Sequence, residues 1–440
     1  MVHFRTPAFW RKMCVYLIII FTTISMMCMI LINKNIMIKT PETAFTVIRV
    51  PLKDTLKKHA NEKPSANVKI SLKEGENGII KNKASDGKHN SVSDIQRNQA
   101  ADSQKKAAVK IDKRLLSMIE EIEQSDTTIK GKVAQRDFLN FTCPPKLRII
   151  DGVEDLLCMK PPKFLPSYKN PCWNSSEGRF QCLPYFQVIG MDKCGSTDLF
   201  DRIAKHPDVL KNNGVLGKET MWWSWLRYGH WLKNRKKIQP FSQYVKYFDI
   251  PAKTIMLQPR AGIITGDGTP MDIWDMSGWV KIPQNSGLKE PKVLTPHLMK
   301  HMNPNVKLLV ILRNPVERLF SDYLFLKIGR QSLRAFHEEV IKSITSLHSC
   351  TRKYSLRACL YSRSLHVRSK ARIHLGFYSI FLKDWLQVFP REQFLIMKTE
   401  DYSNKTKVHL RQAFSFLGLR DLPEAAMQKF ADATRKYVTK

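Results

Sequence analysis

Residues Phe186 to Ile203 read FQVIGMDKCGSTDLFDRI, an apolar run that breaks into a glycine-bearing turn with one lysine and two hydroxyls, then resumes with helical spacing. The chemistry open to such a turn is anion binding. Tyr185 to Met191 has the composition of a buried strand, Ser196 opens a helix, and Asp192 to Gly195 form the turn between them. Backbone N–H groups at the helix start, the Ser196 and Thr197 hydroxyls and the Lys193 ammonium together suit a phosphate or a sulfate. The turn is not a Walker A loop: Lys193 precedes the Gly195-Ser196-Thr197 triplet, whereas G-x-x-x-x-G-K-[ST] places lysine directly before the hydroxyl. A merely capped helix would have the same composition.

A second strand-turn-helix unit, VKLLVILRNPVERLFSDYLF, delivers Arg313 at the end of its strand and sets Pro315 in the first helical turn. Arg318 and Ser321 follow three residues apart on one helical face. Arg313 and Ser321 can converge on another anion, and two anion-binding turns in one sheet predict a ligand phosphorylated at both ends. GVLGKET supplies a base candidate, Glu219, which as an ordinary surface carboxylate would instead pair with Lys218 or another cation. In MWWSWLRYGHWLKNRKK, aromatic rings could stack on sugars while Arg227, Arg235, Lys236 and Lys237 meet sulfates and carboxylates. Helical spacing assigns most of those tryptophans to core packing. The sequence offers no ligand cluster for a metal and no C-x-x-C pair.

These turns need a scaffold. From Leu183 onward short apolar runs alternate with helical patterns, as in YFQVIGM then STDLFDRIAKH, GIITG, VKLLVILRN then PVERLFSDYLFLKI, and YSIFLKDWLQVF then QFLIM. Strands interleaved with helices imply an α/β fold with a central, mainly parallel sheet flanked by helices, and ligands beyond the carboxyl ends of the strands. Residues 143–182 form a Cys/Pro-rich lead-in stapled by disulfides among Cys143, Cys158, Cys172 and Cys182, with connectivity open. Cys350 and Cys359 flank a basic loop that a disulfide would close. Cys194 is expected to be free, with a neighbouring lysine of the kind that lowers a thiol pKa.

Met13 to Asn33 is 21 residues without a charge, long enough for one membrane-spanning helix and too long for a signal h-region. The organisation that follows is a cytoplasmic tail (1–12), a transmembrane signal anchor (13–33), a flexible lumenal stem (34–142), the lead-in, and a catalytic domain (183–440). The stem is polar and poor in aromatics, so it cannot bury enough apolar area to offset its chain entropy. Ile111 to Gln124 has helical spacing and is assigned no chemistry. Seven cysteines after the span and sequons at Asn140, Asn174 and Asn404 fit an oxidising lumen. The formal net charge is +33, of which about +23 falls after residue 142. For a lumenal domain that excess points to sulfated and carboxylated glycans, with no nucleic acid as partner.

The two anion turns resemble the donor motifs of the sulfotransferase superfamily, and the runs FQVIGMDKCGSTDLFDRIAKHP, GKETMWW and GFYSIFLKDWLQVFPREQFLIM are similar to those of Golgi carbohydrate sulfotransferases acting on glycosaminoglycans. The resemblance spans roughly Leu183 to Leu419. It implies a P-loop-like sulfotransferase fold and 3′-phosphoadenosine 5′-phosphosulfate as donor, with no metal required. Lys193, Cys194, Gly195, Ser196 and Thr197 would hold the 5′-phosphosulfate, Arg313 and Ser321 the 3′-phosphate, and Glu219 would deprotonate the acceptor hydroxyl. The implied acceptor is chondroitin or dermatan sulfate, at C6 of N-acetylgalactosamine 4-sulfate. The implied location is the Golgi membrane, single-pass type II with the catalytic domain lumenal; a homodimer stays open. Heparan-directed members carry a histidine and a lysine where this chain has Met221 and Gly268, so a heparan acceptor is not expected. Members usually continue past the last helix into a basic, glycine-containing loop, whereas this chain stops at ATRKYVTK, the pattern of a shortened C-terminus. The competing reading is a membrane-anchored, non-catalytic binder of glycosaminoglycans; a nucleotide-dependent kinase is disfavoured by the missing Walker A lysine and by the lack of an obvious magnesium-binding acidic pair.

Overall fold

Two antiparallel hairpins open the computed structural model, which describes residues 142–229, 238–258, 262–327 and 331–433. They are β1 (Ile149–Ile150) with β2 (Val153–Glu154), and β3 (Cys172–Asn174) with β4 (Phe180–Cys182). The expected staples resolve into Cys143–Cys158 and Cys172–Cys182, the latter joining directly paired strand residues. The tail, the membrane span, the stem up to residue 141, Asn140, the Ile111–Gln124 patch, Arg235, Lys236, Lys237 and residues 434–440 lie outside the described residues. Among those described, no helix is long and apolar enough to cross a membrane.

The main sheet contains β5 (Phe186–Gly190), β6 (Val209–Leu210), β7 (Ile264–Asp267), β8 (Lys307–Leu312) and β9 (Phe394–Lys398) in the order β6-β7-β5-β8-β9. Every pairing is parallel. Parallel strands need crossovers that cover both faces, which is why β5 and β7 are buried throughout, the polar Gln187 and Asp267 included. Val188, Ile189, Leu308, Leu309 and Val310 are fully buried, and each such side chain contributes about 1.5–3 kcal/mol on leaving water.

Helices α1 (Ser196–Ile203), α2 (Phe241–Lys246), α3 (Asp249–Leu257), α4 (Thr295–Met302), α5 (Pro315–Leu326), α6 (Leu333–Thr351), α7 (Leu356–Leu360), α8 (Arg363–Arg368), α9 (Tyr378–Leu386), α10 (Thr399–Asn404), α11 (Thr406–Phe416) and α12 (Glu424–Asp432) supply the layers. The strand order reverses around β5: the chain leaves it for β6 and β7 on one side and later returns to β8 on the other. A crevice for ligand therefore falls beyond the carboxyl end of β5, where the two halves diverge. Cys350 and Cys359 are bridged, but the stretch between them is the end of α6, a short link and most of α7, not an open loop. Ser355 caps α7 by accepting from Ala358 N at 3.0 Å, and Arg357 is spent on Asp384 and Glu290, so the basic character there is partly internal.

Candidate functional site

The turn after β5 is anchored from three sides. Met191 N donates to Ile311 O of β8 at 2.9 Å, and the Thr399 hydroxyl lies between the carbonyls of Cys194 (2.6 Å) and Leu312 (3.0 Å). Trp274 Nε1 donates to Asp192 Oδ2 at 2.9 Å, and Arg372 stands 3.7 Å from the same oxygen. Lys193 and Gly195 occupy the left-handed region at φ 62° and 92°. Only glycine does so without strain, and Gly195, the N-cap of α1, is exposed and makes no side-chain cap. The first-turn N–H groups of α1 are thus left without a cap from Gly195, beside the hydroxyls of Ser196 and Thr197. This geometry fits an anion such as a phosphosulfate.

Lys193 is half-buried and its ammonium lies 3.7 Å from the centre of the Phe325 ring. Burial lowers its pKa, with Arg313 and Arg372 acting in the same sense and Asp322 and Asp192 opposing. Cys194 is free, as expected, but a lowered thiol pKa is not what the structure gives. Burial pushes it up to about 12, so the adjacent lysine does not prepare a thiolate.

Arg313 follows β8 directly, and β8 is the hydrogen-bonded neighbour of β5, so both sequence-predicted turns open at one end of the sheet. Its guanidinium is held by Glu317 one turn along α5, at 2.9 Å. Pro315 at the helix start and the Asn314 side chain, which accepts from Val316 N at 3.0 Å, fix the departure of α5. Ser321 is half-buried on α5. Arg318 does not share its surroundings: it is fully buried, donates to Arg372 O at 2.8 Å and faces Asp322 at 3.4 Å.

Glu219 stands in a tight turn in which Val215 N donates to Glu219 O at 2.9 Å. Its Oε1 lies 2.6 Å from Lys218 Nζ, the pairing that the sequence allowed. That lysine is fully buried and also donates to Thr197 Oγ1 at 3.0 Å, which joins the base candidate to the anion-binding helix. Sequence reasoning did not list Lys218 as a site residue; its adjacency to Glu219 was the available signal, while its burial depends on distant residues. Behind the turn, Asp267 accepts from Thr220 Oγ1 (2.6 Å), Thr220 N (3.3 Å) and Thr269 Oγ1 (2.8 Å). Burial raises the Asp267 pKa to about 6, with the Glu219 charge adding and the threonine bonds opposing.

The aromatic segment divides. Trp222 and Trp223 are core, whereas Trp225 is partly exposed and donates to Asp275 Oδ2 at 2.6 Å. Arg227, expected to meet glycan anions, is instead buried, donating to Glu154 O at 3.0 Å with Tyr228 beside it. The aromatic cluster that buries the tryptophans takes this arginine inward with them. Among the described residues, no group of three or more His, Cys, Asp or Glu is placed to hold a metal ion.

The family description "Sulfotransferase domain" matches residues 184–440. The chain is 34% identical over 367 residues to Carbohydrate sulfotransferase 15 of Rattus norvegicus, covering 70% of this chain and 64% of that one. It is 33% identical over 322 residues to the Homo sapiens protein of the same name, covering 60% and 56%. Heparan sulfate glucosamine 3-O-sulfotransferase 5 of Homo sapiens is 23% identical over 248 residues, 54% of each chain. The chain therefore spans less than two thirds of the length of the two carbohydrate sulfotransferase 15 relatives.

Proposed function

This chain belongs to the sulfotransferase-domain family, and from that premise we propose that it transfers a sulfuryl group from 3′-phosphoadenosine 5′-phosphosulfate to a glycosaminoglycan hydroxyl. The observation that carries the reading is the meeting, at one end of the sheet, of the Lys193 turn, the Arg313 turn and the Lys218–Glu219 pair. When bound, the donor supplies the activated sulfuryl group and a phosphate leaving group. The α1 N–H groups with Ser196 and Thr197 bind the phosphosulfate, and Gly195 keeps the approach clear of a side chain. Arg313 and Ser321 take the 3′-phosphate; Arg313 does so by leaving Glu317. Lys193, resting on Phe325, neutralises the charge that grows on the bridging oxygen. Glu219 accepts the proton of the attacking hydroxyl through the carboxylate oxygen that Lys218 does not hold.

For the acceptor we take N-acetylgalactosamine 4-sulfate in chondroitin or dermatan sulfate, at C6, a choice supported by the likeness to the carbohydrate sulfotransferase 15 proteins. The Met13–Asn33 segment as a Golgi anchor, with this domain lumenal, belongs to the same proposal. Full-length protein in detergent, given labelled donor and chondroitin 4-sulfate, should yield disulfated disaccharides. Glu219→Gln should lower the rate by about 10²-fold or more while keeping affinity for adenosine 3′,5′-bisphosphate. No transfer to any glycan, or a Glu219→Gln enzyme at full rate, would refute it. Salt-sensitive glycan retention without bisphosphate binding would identify a non-catalytic binder instead.

A further inference from the structure

Lys218 is a buried cation that touches both halves of the proposed reaction. Its side chain is 0% exposed, yet its Nζ donates to Thr197 Oγ1 at 3.0 Å and to Glu219 Oε1 at 2.6 Å. An ammonium can only donate. Thr197 therefore spends an acceptor lone pair on Lys218 and keeps its own proton for a ligand oxygen. Glu219 spends Oε1 and leaves Oε2 to accept one. A single lysine thus fixes opposite polarities at two neighbouring groups: a hydrogen-bond donor at the anion-binding helix and a proton acceptor at the turn beyond β6.

The surrounding chain is built to hold that lysine still. Its carbonyl accepts from Gly268 N and from Asn212 Nδ2, both at 2.8 Å, and Asn212 also donates to Gly266 O at 2.8 Å. The stem runs past Gly268, where a Cβ would lie 2.5 Å from Lys218 Cγ and 2.7 Å from the Phe200 ring. The position at which the heparan-directed pattern has a lysine is thus one where this chain has space for none.

We infer that Lys218 is a positioning residue that sets the hydrogen-bond polarity of Thr197 and Glu219 together, so that the donor contact and the base are coupled through one ammonium. The inference rests on the functional reading above, and its test separates the two. In the full-length protein, Lys218→Met and Thr197→Val should each weaken adenosine 3′,5′-bisphosphate binding by about tenfold by calorimetry. The double variant should be no weaker than about twofold below the worse single one. In transfer assays Lys218→Met should lower kcat by about 10²-fold, and Lys218→Met/Glu219→Gln should be no slower than Glu219→Gln alone. Gly268→Ala, which crowds the lysine stem without altering a polar group, should reproduce both losses in part. Thermal unfolding confirms that each variant is folded; if Lys218→Met is not, Gly268→Ala with the Thr197 and Glu219 double variants makes the same test. Fully additive losses, or bisphosphate affinity and kcat within about twofold of wild type in Lys218→Met, would overturn the role of Lys218. If the wild-type protein transfers nothing, the functional reading fails, while the binding cycle with Thr197 still decides for or against the lysine.

Discussion

Asp267 fastens the two residues that follow the Lys218–Glu219 pair, taking a bond from Thr220 and one from Thr269, whose hydroxyl in turn accepts from Met221 N at 3.0 Å. Its environment sets a measurable pH dependence. Burial lifts its pKa from 3.8 to about 6, so between those values the folded state holds a proton that the unfolded chain has lost. Stability from this group is therefore complete below about pH 4 and is lost as pH rises through about 6, a change on the order of 2–3 kcal/mol. Asp267→Asn removes the titration while keeping the shape. Urea unfolding of both proteins at about pH 4.5 and about pH 7.5 should show the gap between them moving by that order in favour of the variant at the higher pH. A gap that stays constant would mean that Asp267 titrates as an ordinary carboxylate.

At the scale of elements, what could be read from the sequence depended on whether the cue was local. β5 with α1 and β8 with α5 announced themselves, because an apolar run, a helix-opening Ser196 or Pro315 and a charged turn all lie within one short window. β6 is two residues long and carries no period to detect, yet it forms the sheet edge beside β7. The site divides the same way. The Asp192–Thr197 turn and Arg313 lie at strand ends, where a strand-to-helix reading puts them. The burial of Lys218 requires Gly268 and Phe200, and the burial of Arg227 requires the Glu154 carbonyl, contacts between elements that spacing along the chain does not encode. The Cys350–Cys359 link gives an element-scale prediction. It ties α6 to α7, whose Arg357 grips Asp384 and Glu290, across a separation of 9 residues. Cys350→Ser/Cys359→Ser should cost about 2–3 kcal/mol by urea unfolding, through the larger freedom of the unfolded chain. A loss below about 0.5 kcal/mol would mean that the bridge hardly restricts the unfolded chain.

Over the whole molecule, the charge excess is a functional quantity distinct from the fold. A chain of +33, with about +23 after residue 142, carries far more positive charge than solubility requires. Its field extends only about a Debye length, about 10 Å at 0.1 M salt, so contacts with a long polyanion are strongly screened while a compact ligand held by buried groups is screened less. Two ligands of the proposed reaction should therefore respond differently to salt. Affinity for chondroitin 4-sulfate chains should fall by about tenfold or more between about 50 and about 200 mM sodium chloride, as cations condensed on the polymer compete with many lysines and arginines. Affinity for adenosine 3′,5′-bisphosphate, which under the proposed function would meet Lys193, Arg313 and the α1 N-terminus, should change by no more than about threefold to fivefold over that range. Calorimetry on one preparation of the full-length protein measures both. Equal slopes would mean that the excess charge does not select the polymer and that the anion turns alone account for glycan binding.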